Sequence, residues 1–243
     1  AQPFWDLVAL VEASAEPGSI RRAHDLGCGT GELTAGLSER LGIADMTGSD
    51  TSPAMRERAA VHERPGLRFV EADLARWTSR GDHDLVFANA SLQWVPDHPG
   101  VLTRWWAAVR PGGHLAVQVP ANADHPSHRV AAEVASTEPF RSAMGGPPPP
   151  DPVARNVLAP EQYATILDRL GARDQHVRLQ VYGHHLRSTA DVVEWVKGTS
   201  LTRIFKALPI ELHDRYVATY RERVVDTLGD RSPFFYPFKR ILF

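Results

Sequence analysis

Residues 25–31 read Asp-Leu-Gly-Cys-Gly-Thr-Gly, wedged between a short β-rich run and a stretch of helical spacing. Glycine takes backbone angles closed to other residues and lets a ligand approach the main chain. A helix starting directly behind such a loop offers unpaired N–H groups. The strand, loop and helix order then recurs, with strands expected at 23–26, 44–49, 67–71, 83–88 and 114–119 and helices at 32–40, 53–61 and 101–109. Ser52 and Pro53 supply a cap and a first-turn proline for the second helix, and Arg110-Pro111-Gly112-Gly113 predicts a turn into the fifth strand. Such alternation predicts an α/β fold, a mostly parallel sheet with helices on both faces.

The second half is patterned differently. Residues 145–152 hold two glycines and five prolines, which cannot sustain helix or ladder hydrogen bonds, so a flexible or polyproline-like connector is expected there. A helix at 160–170 closes on Gly171, and Val177, Leu179 and Val181 alternate as in a strand. Thr189 is expected to cap a helix to Lys197, Pro209 to open a long one to about Leu228, and 234–243 to form an aromatic final strand, the seventh. The two helices between the last two strands make an insertion at about 188–230, a lid within one domain spanning 1–243. Residues 3–11 read as a helix already under way and residue 1 is not methionine, so a short natural N-terminal segment is expected to precede the chain.

Charge excludes several partners. With 27 basic and 29 acidic residues, net −2, no strong field draws the chain to nucleic acid or an anionic membrane. No apolar run is long enough to span a bilayer. Cys28 is the single cysteine, so neither a disulfide nor a multi-cysteine zinc site can form within the chain, and a reduced, cytoplasmic setting is expected. His125 with His128, and His184 with His185, lack a third ligand at fixed spacing, so no metal is expected.

The acids after the strands sharpen the loop's meaning. Dinucleotide folds place a pyrophosphate on G-x-G-x-x-G, whereas this loop is spaced G-x-G-x-G and preceded by Asp25. A carboxylate there repels a pyrophosphate and attracts an ammonium group, such as the amino acid end of S-adenosylmethionine. Asp50, at the end of the second strand, can accept hydrogen bonds from both ribose hydroxyls. Asp73, after the third strand, can accept one from an adenine amino group. Each acid alone reads as a loop or capping residue. All three at the carboxyl ends of consecutive strands, where open α/β sheets bind ligands, point to a nucleoside ligand.

Asp25-Leu26-Gly27-Cys28-Gly29-Thr30-Gly31, Gly48-Ser49-Asp50-Thr51-Ser52-Pro53-Ala54-Met55, Glu71-Ala72-Asp73-Leu74 and Val109-Arg110-Pro111-Gly112-Gly113 together resemble the motifs of the class I S-adenosylmethionine-dependent methyltransferases. Phe87-Ala88-Asn89-Ala90-Ser91-Leu92-Gln93-Trp94-Val95-Pro96-Asp97-His98 is similar to the trans-aconitate methyltransferases, which methylate small carboxylic acids. That likeness continues through Val117-Gln118-Val119-Pro120-Ala121-Asn122, Val193-Glu194-Trp195-Val196 and Phe238-Lys239-Arg240-Ile241-Leu242-Phe243. The resemblance implies a Rossmann-like, seven-stranded, mostly parallel sheet with a helical lid insertion, S-adenosyl-L-methionine as cofactor, and a small-molecule acid as partner. It implies cofactor contacts from Asp25, Gly27, Cys28, Gly29, Asp50, Thr51, Asp73, Leu74 and Asn89. The family usually carries a short N-terminal segment that closes over the cofactor, which this sequence lacks.

Methyl transfer from a sulfonium is a direct displacement, so alignment and exclusion of water matter most. A carboxylate acceptor is already ionised at neutral pH and needs no general base. It does need cations, best a guanidinium with two parallel hydrogen bonds. Arg240 is the candidate, with an ordinary surface arginine as the alternative. Gln93 and Trp94 are expected to face the methyl-transfer site, although Trp94 could be core, and Asn89 could simply form the turn. A natural-product hydroxyl or amine acceptor would need a base such as His98. A non-catalytic S-adenosylmethionine-binding module is the remaining alternative.

Overall fold

The computed structural model describes residues 2–198 and 200–243. Its seven strands are β1 (Arg22–Leu26), β2 (Asp45–Ser49), β3 (Leu67–Val70), β4 (His83–Asn89), β5 (Val109–Pro120), β6 (Arg178–Leu186) and β7 (Phe234–Leu242). They form one sheet in the order β3-β2-β1-β4-β5-β7-β6. The pairs β1–β2, β1–β4, β2–β3 and β4–β5 are parallel, and β7 runs antiparallel to β5. This is the mostly parallel sheet that the alternation predicts and the Rossmann-like form that the resemblance implies, with its order reversing direction beside β1, where such folds bind their ligands.

Contacts divide the chain into two compact units. The first runs up to Pro120 and adds Asn156–Gln180 and Arg240–Phe243. It contains α1 (Gln2–Ser14), α2 (Glu32–Leu41), α3 (Pro53–Ala59), α4 (His98–Ala108) and most of the sheet. Apolar side chains from β1, β2 and β4 (Ala23, Met46, Leu85, Phe87) bury with Phe4, Leu7 and Val8 of α1 and Leu37 of α2, as expected of parallel strands covered on both faces. The Ser52 hydroxyl accepts from Met55 N and caps α3 as its sequence foretells. Helix α4 starts three residues before the expected 101 because the Asp97 carboxylate accepts from Gly100 N at 3.2 Å. The expected turn at 110–113 is instead a bulge inside β5. Pairing jumps from His83–Val109 to Leu85–His114, and a side chain at Gly113 would meet the His83 and Asp84 carbonyls at 2.9 and 3.0 Å.

The second unit comprises Ala121–Arg155 and Val181–Lys239. It contains α5 (Pro126–Ala135), α6 (Phe140–Ala143), α9 (Val192–Lys197), α10 (Thr202–Ala207) and α11 (His213–Leu228), while α7 (Pro152–Asn156) straddles its edge and α8 (Pro160–Arg169) belongs to the first unit. Its core combines valines of α5 and α9 with Tyr216, Tyr220 and Tyr236. Among the described residues the insertion at 188–230 therefore packs on α5 and holds three α-helices, not two. Thr189 does not cap α9, since its hydroxyl donates to Gly229 O at 2.7 Å and accepts from Arg231 N at 3.1 Å. The proline-rich stretch is tied down: Arg203 Nε donates to Pro149 O at 3.1 Å, and Asp151 lies 3.4 Å from Arg203 Nη1 and 3.5 Å from His128 Nδ1. Among the described residues no helix is long and apolar enough to cross a membrane.

Candidate active site

The loop after β1 is fastened to β2, with Gly27 N and Cys28 N both donating to Ser49 O at 2.7 and 2.9 Å. Its three glycines have positive φ for different reasons. A side chain at Gly27 would strike Ser91 Cβ at 2.4 Å, and one at Gly31 the Phe69 ring at 2.7 Å, so those two are glycines for packing. Gly29 faces nothing within 4 Å. Its bare backbone borders open space, as a ligand cradle requires. Gly29 N donates to Asp50 Oδ2 at 3.1 Å, and Asp50 Oδ1 accepts from Ser52 N at 2.8 Å. This carboxylate is half-buried at the lip of the loop, beside exposed Thr51.

Asp25 lies behind the loop and is closed to solvent. Its Oδ2 accepts from Thr34 Oγ1 at 2.5 Å, while Oδ1 has no hydrogen-bond partner among the described residues. Burial pushes this carboxyl up to about 7, against the Thr34 hydrogen bond and with the help of the Asp50 charge. Burial likewise pushes the Cys28 thiol well above its usual range, and the two neighbouring carboxylates add to it.

A chain of side chains joins three strand ends. Arg240 Nη1, on β7, donates to Gln118 Oε1 at 3.1 Å, and Gln118 Nε2, on β5, donates to Asn89 Oδ1 at 2.6 Å at the end of β4. Gln118 is buried, whereas Asn89 and Arg240 are half-buried. Beyond Asn89 the backbone turns sharply through Ala90, φ +53°, whose N–H donates to Gln118 O at 2.8 Å. Ser91 then donates to Leu26 O at 2.6 Å and locks the turn against the glycine loop. Backbone held in this region by surrounding contacts is typical of functional sites.

Known proteins resolve what this arrangement belongs to. A family described as a methyltransferase domain matches residues 23–113. Trans-aconitate 2-methyltransferase of Deinococcus radiodurans is 41% identical over 244 residues, spanning 99% of this chain and 91% of that protein. Trans-aconitate 2-methyltransferase of Streptomyces avermitilis is 37% identical over 249 residues, spanning 99% and 90%. The chain belongs to the trans-aconitate 2-methyltransferase family. It is accordingly an S-adenosylmethionine-dependent methyltransferase. A solved S-adenosylmethionine-dependent methyltransferase of Geobacter sulfurreducens, in complex with S-adenosyl-L-homocysteine, has the same fold at TM-score 0.57 and 19% identity, covering 100% of this chain and 90% of that one.

Against that family membership, the other expected site residues divide. Gln93 is buried, its Nε2 donating to Ala90 O at 2.7 Å, and its Oε1 has no partner among the described residues. Trp94, beside it, is 59% exposed and so is not core. Asp73 is exposed and accepts from Ala75 N at 2.9 Å, the capping geometry that a lone aspartate predicts. The Leu74 side chain lies near Gly27, and its carbonyl accepts from Trp105 Nε1 at 3.0 Å. His98 is fully enclosed, with Nδ1 2.7 Å from Tyr163 OH and Nε2 3.0 Å from Leu92 O. Burial holds it below its usual range, so it is engaged on both nitrogens and unsuited to act as a base. Gln118 and Ser91 stood inside quoted motifs without a role. The available signal was a glutamine within an apolar strand, because buried amides must be satisfied.

No group of three or more metal-binding side chains occurs among the described residues. A cavity of about 770 Å³ lies between α1, the start of β5 and residues 171–176, and includes no residue of the glycine loop. It is separate from the site.

Proposed function

We propose that the chain transfers a methyl group from S-adenosylmethionine to a carboxylate of trans-aconitate or a closely similar polycarboxylic acid. The residues fit the methyl donor: open space over Gly29, an acceptor-rich Asp50 beside it, and a buried acid whose spare oxygen favours a cationic ligand. Gly27, Cys28 and Gly29 approach it by their backbone, Asp50 and Thr51 take the ribose, and Asp73 with Leu74 borders the adenine. Asp25 answers the ammonium charge through the loop, and Asn89 stands at the border with the acceptor. Bound there, S-adenosylmethionine supplies an electrophilic methyl on a sulfonium that leaves as a neutral thioether.

The Arg240–Gln118–Asn89 chain carries this reading, because it brings a guanidinium to the carboxyl end of the sheet, next to the strand end locked on the glycine loop. A guanidinium at this position has the planar fork that grips a carboxylate with two parallel hydrogen bonds. Gln93 and Trp94 close the approach after β4. The engaged state of His98 disfavours a hydroxyl or amine acceptor, which would need a base, whereas an ionised carboxylate needs none. The work belongs in the cytoplasm, a setting supported by the single thiol and a metabolite-sized acid.

Labelled methyl donor incubated with a panel of di- and tricarboxylic acids tests the proposal. Base-labile methyl ester forms with trans-aconitate; no transfer to any acid would move the acceptor to another chemical class. Arg240→Ala raises KM for the acid about tenfold or more, with S-adenosylhomocysteine affinity nearly unchanged. An unchanged KM removes Arg240 from the acid site.

A further inference from the structure

We propose that Gln118 is a positioning residue for acid recognition, one that holds the Arg240 guanidinium and fixes the Asn89 side chain as a hydrogen-bond donor. This rests on the assignment of Arg240 to the acid. Guanidinium nitrogens can only donate. The Arg240 contact therefore requires the carbonyl oxygen of the Gln118 amide to face β7, which turns its NH2 toward β4. Asn89 must answer with its own oxygen, as it does at 2.6 Å. Its NH2 is then left to point elsewhere. One cation thus sets the direction of two amides in series, and the end of β4 offers N–H groups in place of a carbonyl.

An amide free to flip would present an acceptor half the time, and an acceptor repels a carboxylate. The direction imposed from β7 removes that state. The position of Gln118 supports the assignment: its side chain is 2% exposed, both of its polar atoms are bonded, and its own carbonyl holds Ala90 N in the strained turn. A glutamine that only filled space would need neither neighbour to be polar. Both neighbours instead stand half-exposed at strand ends.

The test is a double-mutant cycle on KM for trans-aconitate, with Gln118→Leu, Arg240→Ala and the pair. Coupled groups in contact depart from additivity, whereas independent structural damage adds. Gln118→Leu raises KM about tenfold in the native background and has little effect once Arg240 is alanine, while kcat changes less than KM in each variant. Gln118→Glu, which keeps an acceptor for Arg240 but places a negative charge there and loses the donor to Asn89, raises KM at least as much. Gln118→Met provides the same cycle if the leucine variant does not fold, with thermal melting reporting on integrity. Additive effects, or an unchanged KM in Gln118→Leu and Gln118→Met, overturn the positioning role while leaving the Arg240 assignment intact. An unchanged KM in Arg240→Ala overturns both, which separates the two failures.

Discussion

The two units put polar side chains to different use. In the first, polar side chains also collect at the carboxyl ends of strands, where Asp50 accepts from Gly29 N of the glycine loop and Asn89, Gln118 and Arg240 bond to one another in series. In the second, tyrosine hydroxyls sit inside the core and are bonded within the unit. Tyr216 donates to Ala131 O at 2.8 Å, Tyr220 to Ser127 O at 3.0 Å, and Tyr236 contacts Ser127 and Asn122. A satisfied buried hydroxyl specifies a fold, whereas a half-satisfied one at a strand end can bind something. Variants of the first kind of group should therefore cost ligand, and variants of the second kind stability.

The largest effect falls on the loop. Gly29→Val places a branched side chain at φ +57° in the space left for ligand, so calorimetry detects no S-adenosylhomocysteine binding; normal binding would displace the cofactor from the loop. Asp50→Ala follows, because it removes a charged acceptor for ribose and frees Gly29 N and Ser52 N. A loss of roughly 2 kcal/mol, about thirtyfold in affinity, is expected from charge-assisted bonds. Unchanged affinity with native circular dichroism would take Asp50 out of the site.

Asp25 gives a smaller, pH-dependent effect. Its carboxyl is raised to about 7 by burial, so it holds a proton below that pH and carries charge above it. A cationic methyl donor favours the charged form. Affinity for S-adenosylmethionine should rise about tenfold between about pH 6 and about pH 8, and Asp25→Asn should flatten the profile. The linkage to folding runs the other way: with a folded value above the unfolded 3.8, the native state holds a proton that the unfolded chain has released. This group's contribution to stability falls as pH rises from about 4 to about 7. A binding profile that stays steep in Asp25→Asn would assign the titration elsewhere.

Tyr220→Phe should barely touch the ligand. It leaves Ser127 O without its buried donor and should lower unfolding free energy in urea by about 1 to 3 kcal/mol, with S-adenosylhomocysteine affinity unchanged. A loss of affinity instead would blur the distinction between the units.

This distinction also governs what can be read from the chain. The parallel strands and the glycine loop were legible because burial on both faces and positive φ each demand a narrow choice of residue, as at Ala23, Met46 and Gly27. The bulge at 110–113 was not, since Pro and Gly look alike in a turn and in an irregular strand. Thr189 misled for a related reason: a hydroxyl before a helical run can cap it or, as here, brace Gly229 and Arg231, forty residues away in sequence. The end of the second strand was legible as the place of Asp50, whereas its contact with Gly29 N was not. Gln118 escaped because its importance lies in two partners on other strands, which no local spacing records.

Cys28 carries a last consequence. Any protein that houses a reactive methylating agent risks modifying itself, and sulfur is the most nucleophilic atom a side chain offers. Only the thiolate attacks. Partial burial of Cys28, with Asp25 and Asp50 near it, favours the thiol over the thiolate. A sulfur held in that form is a poor nucleophile toward the sulfonium methyl.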